Sequence, residues 1–234
     1  MARLPRIQLP DIPLHIIQRG NNRSLCFADT QDFIAYTHWL TEYSVKHYVD
    51  IHAWVFMTNH VHLLCTPRKP NAISLLMQSL GRRYVQYFNY KYGRTGTLWE
   101  GRFKSCIIEC DSYLLQVYKY IELNPVRANI VNDPSDYVWS SYQINALGKQ
   151  SALCTCHPTY LNLGSSAIER QKIYRSLFNN HIEGKIIEEI RLSLNKGLAL
   201  GSERFKSQIE HVTGRRVKSA KLGRPLGSVK TQAI

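Results

Sequence analysis

Three groups of residues in this chain have the types and spacing for chemistry. The first is His60-Val61-His62. At positions i and i+2 of a strand, both imidazoles point to one face. Two neutral imidazoles on one side can chelate a divalent ion; the same pair is equally satisfied as hydrogen-bonded histidines of a sheet. The second is Tyr113 to Pro125, YLLQVYKYIELNP. On a helix, Gln116, Tyr120 and Asn124 form one stripe. Tyr120 has a nucleophilic oxygen, or serves as a core aromatic. Asn124 offers an amide oxygen to a metal, or caps a short helix from Pro125 to Ile130. The third is a basic stretch from Gly81 to Lys104, with Arg82, Arg83, Lys91, Arg94, Arg102 and Lys104 opposed only by Glu100. Tyr84, Tyr87, Phe88, Tyr90, Tyr92, Trp99 and Phe103 are interleaved with them. Such a mixture holds a single strand by phosphate pairing and base stacking, although helix packing claims about half of those rings.

The elements that must position these groups are legible from periodicity. Leu14 to Arg19 reads as a strand, followed by a polar turn at Gly20-Asn21-Asn22-Arg23. Asp32 to Lys46 carries Phe33, Ile34, Tyr36, Trp39, Leu40 and Tyr43 at helical spacing. Asp50 to Met57 and His60 to Thr66 read as a hairpin closed by Thr58-Asn59. Ala72 to Tyr90 reads as a second amphipathic helix and Lys104 to Glu109 as a fourth strand. Asp111-Ser112 then caps a helix from Tyr113 towards Leu123. The order β-α-β-β-α-β predicts an α+β, ferredoxin-like sandwich with an antiparallel sheet. Its helices are expected mainly on one face, leaving the other free for a ligand.

Beyond residue 147 the character changes. Residues 1–147 are expected to form one domain, and 148–234 a helical, basic extension ending in a flexible tail. Ala146 to Ser151 reads as a linker, and Ala167 to Leu177 and Ile182 to Lys196 as short helices. From Gly201 onward eight Lys/Arg stand against two Glu, which favours a solvated, disordered tail. Gly223-Arg224-Pro225 holds the core of a minor-groove hook, which makes Arg224 a DNA-binding candidate. Cys154-Thr155-Cys156-His157 supplies half the donors of a zinc site. No second half appears at matching spacing, so the six cysteines are expected to be free thiols.

Composition bounds the function class. The 234 residues carry a formal charge of +13, with a sequence pI near 9.6, and favour a polyanionic partner, nucleic acid first. A hydrophobic share of 44% excludes a disordered or collagen-like chain. No apolar run approaches the roughly 18–20 residues of a membrane span. The opening MARLPRIQLPDIPLH lacks the apolar stretch of a signal peptide, so a cytoplasmic location without a membrane partner is expected.

Three ordered motifs then carry a resemblance. His60-Val61-His62, Trp99-Glu100-Gly101-Arg102-Phe103-Lys104 and Tyr120-Ile121-Glu122-Leu123-Asn124-Pro125-Val126-Arg127-Ala128 resemble the single-tyrosine HUH transposases. The closest branch is the REP-associated tyrosine transposases, relatives of the insertion-sequence transposases that move as single-stranded DNA. The resemblance covers about residues 10 to 145. It implies a nucleophile, Tyr120, that forms a 5′-phosphotyrosine in single-stranded or hairpin DNA and frees a 3′-hydroxyl. It implies Mg²⁺ or Mn²⁺ held by His60, His62 and Asn124, and it leaves a homodimer open beside a monomer. The rival reading is a DNA-binding regulator with the same fold and no cutting activity.

Overall fold

The computed structural model describes residues 6–219. Its frame is β1 (Leu14–Arg19), α1 (Thr30–Lys46), β2 (Val49–Met57), β3 (His60–Pro67), α2 (Ala72–Lys91), β4 (Lys104–Ile108) and α3 (Cys110–Glu122). Each falls where the periodicity places it, within a few residues. The sheet order is β2-β3-β1-β4, extended by a short β5 (Ala199–Leu200). The first four strands pair antiparallel, and β5 pairs parallel to β4. This is the expected α+β sandwich.

Local chemistry explains the joints. Asp29 caps α1: its carboxylate accepts from Asp32 N at 3.1 Å, and the Asp32 carboxylate accepts from Asp29 N at 3.2 Å. Asp32 is also bonded by Lys91 Nζ at 2.8 Å and Tyr92 Oη at 2.8 Å, which ties the start of α1 to the end of α2. Thr58 and Asn59 turn the β2-β3 hairpin, and their carbonyls accept from Cys26 N and Gly20 N at 2.8 Å each. Gly20 admits no side chain there, because a Cβ would stand 2.1 Å from the Ser24 carbonyl oxygen. Asp111 and Ser112 lie inside the first turn of α3, which begins at Cys110 without a side-chain cap, instead of capping it as expected.

The two faces of the sheet bury different sets of residues. One packs Leu14, Ile16, Phe56, Val61 and Leu63 against Phe33, Tyr36 and Leu40 of α1 and Leu76, Leu80 and Tyr84 of α2. The other packs Ala53, Val55, Leu64 and Ile108 against Leu114, Val117 and Ile121 of α3. This second face is not left free, as the sequence suggested. Its apolar residues need a cover, and the chain beyond α3 supplies much of it with Tyr142, Tyr160, Tyr174, Ile190 and Leu200. The end of that face carrying His60 and His62 opens to a cleft.

The later elements are α4 (Asn124–Arg127), α5 (Tyr142–Asn145), α6 (Pro158–Leu161), α7 (Ala167–Ser176), α8 (Gly184–Lys196) and α9 (Glu203–Thr213). The expected linker is partly built in: Ala146 is buried, and Lys149 N donates to the Gln143 carbonyl at 3.0 Å. The tail expected from Gly201 is instead a capped helix as far as Thr213. Ser202 Oγ accepts from Phe205 N at 3.2 Å, and Gly214 ends α9 with φ +62°. Buried Ile209 and Val217 anchor this segment, an apolar signal that the surrounding positive charge obscured. Arg224 lies outside the described residues.

A candidate metal and tyrosine cleft on the second sheet face

His60 and His62 leave β3 on the face covered by α3. The β1-β3 register sets Arg19 opposite His60 and Ile17 opposite His62. Alternation along β1 therefore puts His15, Ile17 and Arg19 on this face too. Across it runs α3, which delivers Tyr120. Together His60, His62, Tyr120, Asn124 and Arg127 line a cleft of about 350 Å³, with Arg191 and Asn195 of α8 on its far wall. The ring centroids of His60 and His62 are 5.2 Å apart, and those of His62 and Tyr120 are 5.9 Å apart.

The hydrogen bonds assign protons. His60 Nδ1 lies 2.6 Å from Asn59 Oδ1, which only accepts, so the proton is on Nδ1 and Nε2 keeps its lone pair. His62 Nδ1 lies 2.8 Å from Nε2 of the fully buried His15, so one proton is shared between them. Burial holds all three imidazoles neutral near pH 7. It pushes His15 down to about 3 with help from Arg127, and His60 down to about 4 with help from Arg19. His62 is held well below the usual range by burial, then by His15, His60, Arg127 and Arg19. Neutral imidazoles are the form that binds metals.

Asn124 does not cap the helix that follows, as one sequence reading had it. Its Nδ2 donates backward to the carbonyls of Tyr120 at 3.0 Å and Ile121 at 3.1 Å, satisfying the end of α3. Among the described residues its Oδ1 has no hydrogen-bond partner, and the residue lines the cleft. The short helix itself is Asn124–Arg127, shorter than expected. Arg127 lies with its guanidinium carbon 4.1 Å from the Tyr120 ring centroid and donates to the Tyr120 carbonyl at 2.9 Å. Its Nη1 is buried without a partner.

The other expected residues separate. Gln116 lines a different cleft, with Lys119 and Asn180. Each i+4 step turns a helix about 40° further, so the stripe drifts off the cleft within two steps. Arg82 and Arg83 are exposed on α2, in the layer beyond the opposite sheet face, with Arg83 5.3 Å over Trp39. Arg94 follows α2, 5.4 Å over Phe88. Arg102 and Lys104 instead lie at the entry to β4, and Lys104 Nζ donates to Asn195 at 2.9 Å. The Cys154 thiol contacts the His52 carbonyl and Asn145, while His157 caps α6 by accepting from Thr159 N, so these residues do not converge as zinc donors. All six cysteines are free.

The sequence reading gave no role to His15, Arg127 or the α8 pair, and offered Arg19 only as a DNA contact of the N-terminal segment. Alternation along β1 could have flagged His15 and Arg19, but only strand register sets them beside β3. Arg127 stands in the third motif. Nothing in the sequence connects Arg191 and Asn195 to residues some seventy positions earlier.

The geometry invites comparison with known proteins. A search of curated proteins found no match. Among solved structures, the chain is similar to a REP-associated tyrosine transposase bound to a REP hairpin. The TM-score is 0.54 and the identity 19%, over 67% of this chain and 93% of that one, a likeness of fold. It also has partial likenesses to a structure assigned to a transposase of Deinococcus radiodurans R1 (TM-score 0.37, 20% identity, 52% of this chain and 96% of that one) and to a bacterial tRNA(His) guanylyltransferase-like protein in complex with GTP (TM-score 0.33, 15% identity, 55% and 73%). Residues 8–124, half of the chain, match the family model described as "Transposase IS200 like". The match runs from before β1 to Asn124, and on it the chain belongs to the IS200-like transposase family.

Proposed function

We propose that the protein nicks and rejoins single-stranded or hairpin DNA through a covalent link to Tyr120. The observation that carries this reading is the meeting of His60, His62, Tyr120 and Asn124 in one cleft of a transposase-family fold. Tyr120 Oη attacks the phosphorus of a phosphodiester and gives up its proton. The bond to the 3′-oxygen breaks, a 3′-hydroxyl leaves once protonated, and the 5′-phosphate stays on the tyrosine. Reversal by a 3′-hydroxyl of another strand transfers it, and the covalent link conserves the bond energy for that step.

His60 Nε2, His62 Nε2 and Asn124 Oδ1 would hold a divalent cation, Mg²⁺ or Mn²⁺. Ligation through His62 Nε2 requires the proton on Nδ1, donated to His15. A bound cation supplies charge neutralisation at the phosphate. Arg127 holds the Tyr120 ring and carries a buried N–H without a partner, suited to a phosphate oxygen.

The test mixes the protein and Tyr120→Phe with labelled hairpin DNA in Mn²⁺, Mg²⁺ or EDTA, followed by a denaturing gel. A slow covalent band that requires both metal and Tyr120 is expected. Tight binding with no band would move the reading to a regulator, and cleavage without Tyr120 to an unrelated metal hydrolase.

A further inference from the structure

The cleft does not end at Asn195. Leu194 and Asn195 also line a larger groove of about 580 Å³, running between the start of β4 and the chain around α8 and α9. One wall carries Arg102 and Lys104; the other carries Lys196, Arg215 and Arg216. Glu100 is its one acidic lining residue. Among the described residues Arg102, Lys104 and Lys196 enter no ion pair, although Lys206 and Lys218 nearby in sequence do. At the floor, the Arg6 guanidinium lies 3.6 Å from the Phe103 ring centroid. Lys104 Nζ and Asn195 Oδ1 join the two walls where groove meets cleft.

Like charges gathered along one trough repel one another, and a polyanion relieves that repulsion. The trough and the cleft that holds Tyr120 meet at Leu194 and Asn195, which line both. Resting on the strand-cutting reading above, we infer that this groove seats the single-stranded DNA flanking the bond to be cut. Residues 194–216 of the C-terminal part thereby complete the nucleic-acid path and are not an appendage to it. The occupant is a flexible phosphodiester strand, since phosphate spacing along it can follow the two basic walls.

The experiment measures binding by fluorescence anisotropy in the full chain carrying Tyr120→Phe, so that no cutting intervenes. The probe is a hairpin oligonucleotide with single-stranded flanks, compared with the same hairpin without flanks, over a range of salt. The groove variant adds Lys104→Ala, Lys196→Ala and Arg216→Ala, all exposed positions. A charge-matched control adds Lys46→Ala, Lys149→Ala and Lys172→Ala, which lie outside the groove and cleft. The groove variant is expected to lose on the order of tenfold in affinity for the flanked hairpin relative to the control. Its salt slope should fall by about 2, three contacts at about 0.7 each. Equal behaviour of the two variants would overturn the inference, as would an equal loss on the hairpin without flanks. Failure of the cutting reading is separate: the protein with Tyr120 intact would then form no adduct, whatever the groove binds.

Discussion

Both faces of the sheet are rich in tyrosine, and they use it differently. On the α1-α2 face, Tyr36 and Tyr84 cross edge to face at 5.0 Å amid Phe27, Phe56 and Trp99. Burial pushes both phenols far above the usual tyrosine range, and Tyr84 Oη is used up donating to the Cys26 carbonyl at 2.6 Å. On the α3 face, Tyr120 is hardly more exposed, at 4%. Its neighbours, however, are His15, His62 and the Arg127 guanidinium. The difference teaches that burial alone does not decide a tyrosine's role. A ring surrounded by rings is packing material, whereas Tyr120, at the polar end of its face beside a cation and two imidazoles, is the ring that the strand-cutting proposal takes as nucleophile.

The comparison breaks most visibly through stability. Tyr84→Ala should cost roughly 3–5 kcal/mol, because it empties the centre of an aromatic cluster that cannot collapse. Tyr120→Phe keeps the ring and should cost less than about 1 kcal/mol while abolishing the adduct. Urea unfolding of both variants measures this, and similar losses in the two would show that Tyr120 is core as well.

Next in size is His15. If it orients His62 for a metal, His15→Leu should weaken Mn²⁺ binding roughly 10–100-fold in calorimetric titration, with little change in Tm. His15→Gln, whose amide oxygen can still accept from His62 Nδ1, should recover part of that affinity. Unchanged Mn²⁺ binding in His15→Leu would reduce the buried pair to sheet packing.

The smallest expected effect concerns how the C-terminal helices cover the second face. Glu122 is fully buried on α3 and accepts from Ser141 Oγ at 2.5 Å, Asn145 Nδ2 at 2.9 Å and Tyr174 Oη at 2.6 Å. Burial raises its carboxyl from 4.5 to about 7, against the pull of those donors. The folded protein thus holds a proton that the unfolded chain has released between these values. Stability from this group is full below pH 4.5, falls as pH rises to about 7, and is flat above. Glu122→Gln should remove that slope, about 1 kcal/mol per pH unit between pH 5 and pH 7. Thermal melts at the two pH values check this; a slope unchanged by the substitution would mean that the carboxylate titrates alike in both states.

Much of the frame was readable because local chemistry sets it. The strand run LHIIQR, the Thr58-Asn59 turn and the helical spacing of Phe33, Tyr36 and Leu40 each specify an element without outside help. The histidine pair, Tyr120 and Asn124 were readable for the same reason, since their spacing along β3 and α3 is local. The short α9 was missed because two buried residues in a strongly basic segment give a weak periodic signal.

The sequence by itself determined the strand and helix order, the shared face of His60 and His62, and the one-turn spacing of Tyr120 and Asn124. Those follow from backbone periods of two and 3.6 residues, which act over a few positions. Tertiary structure decided that the His15 ring meets His62 Nδ1 and that α8 walls the cleft. These contacts join residues distant in sequence through strand register and helix packing. Burying the apolar surface of the whole second face settles that arrangement, and no local pattern encodes it.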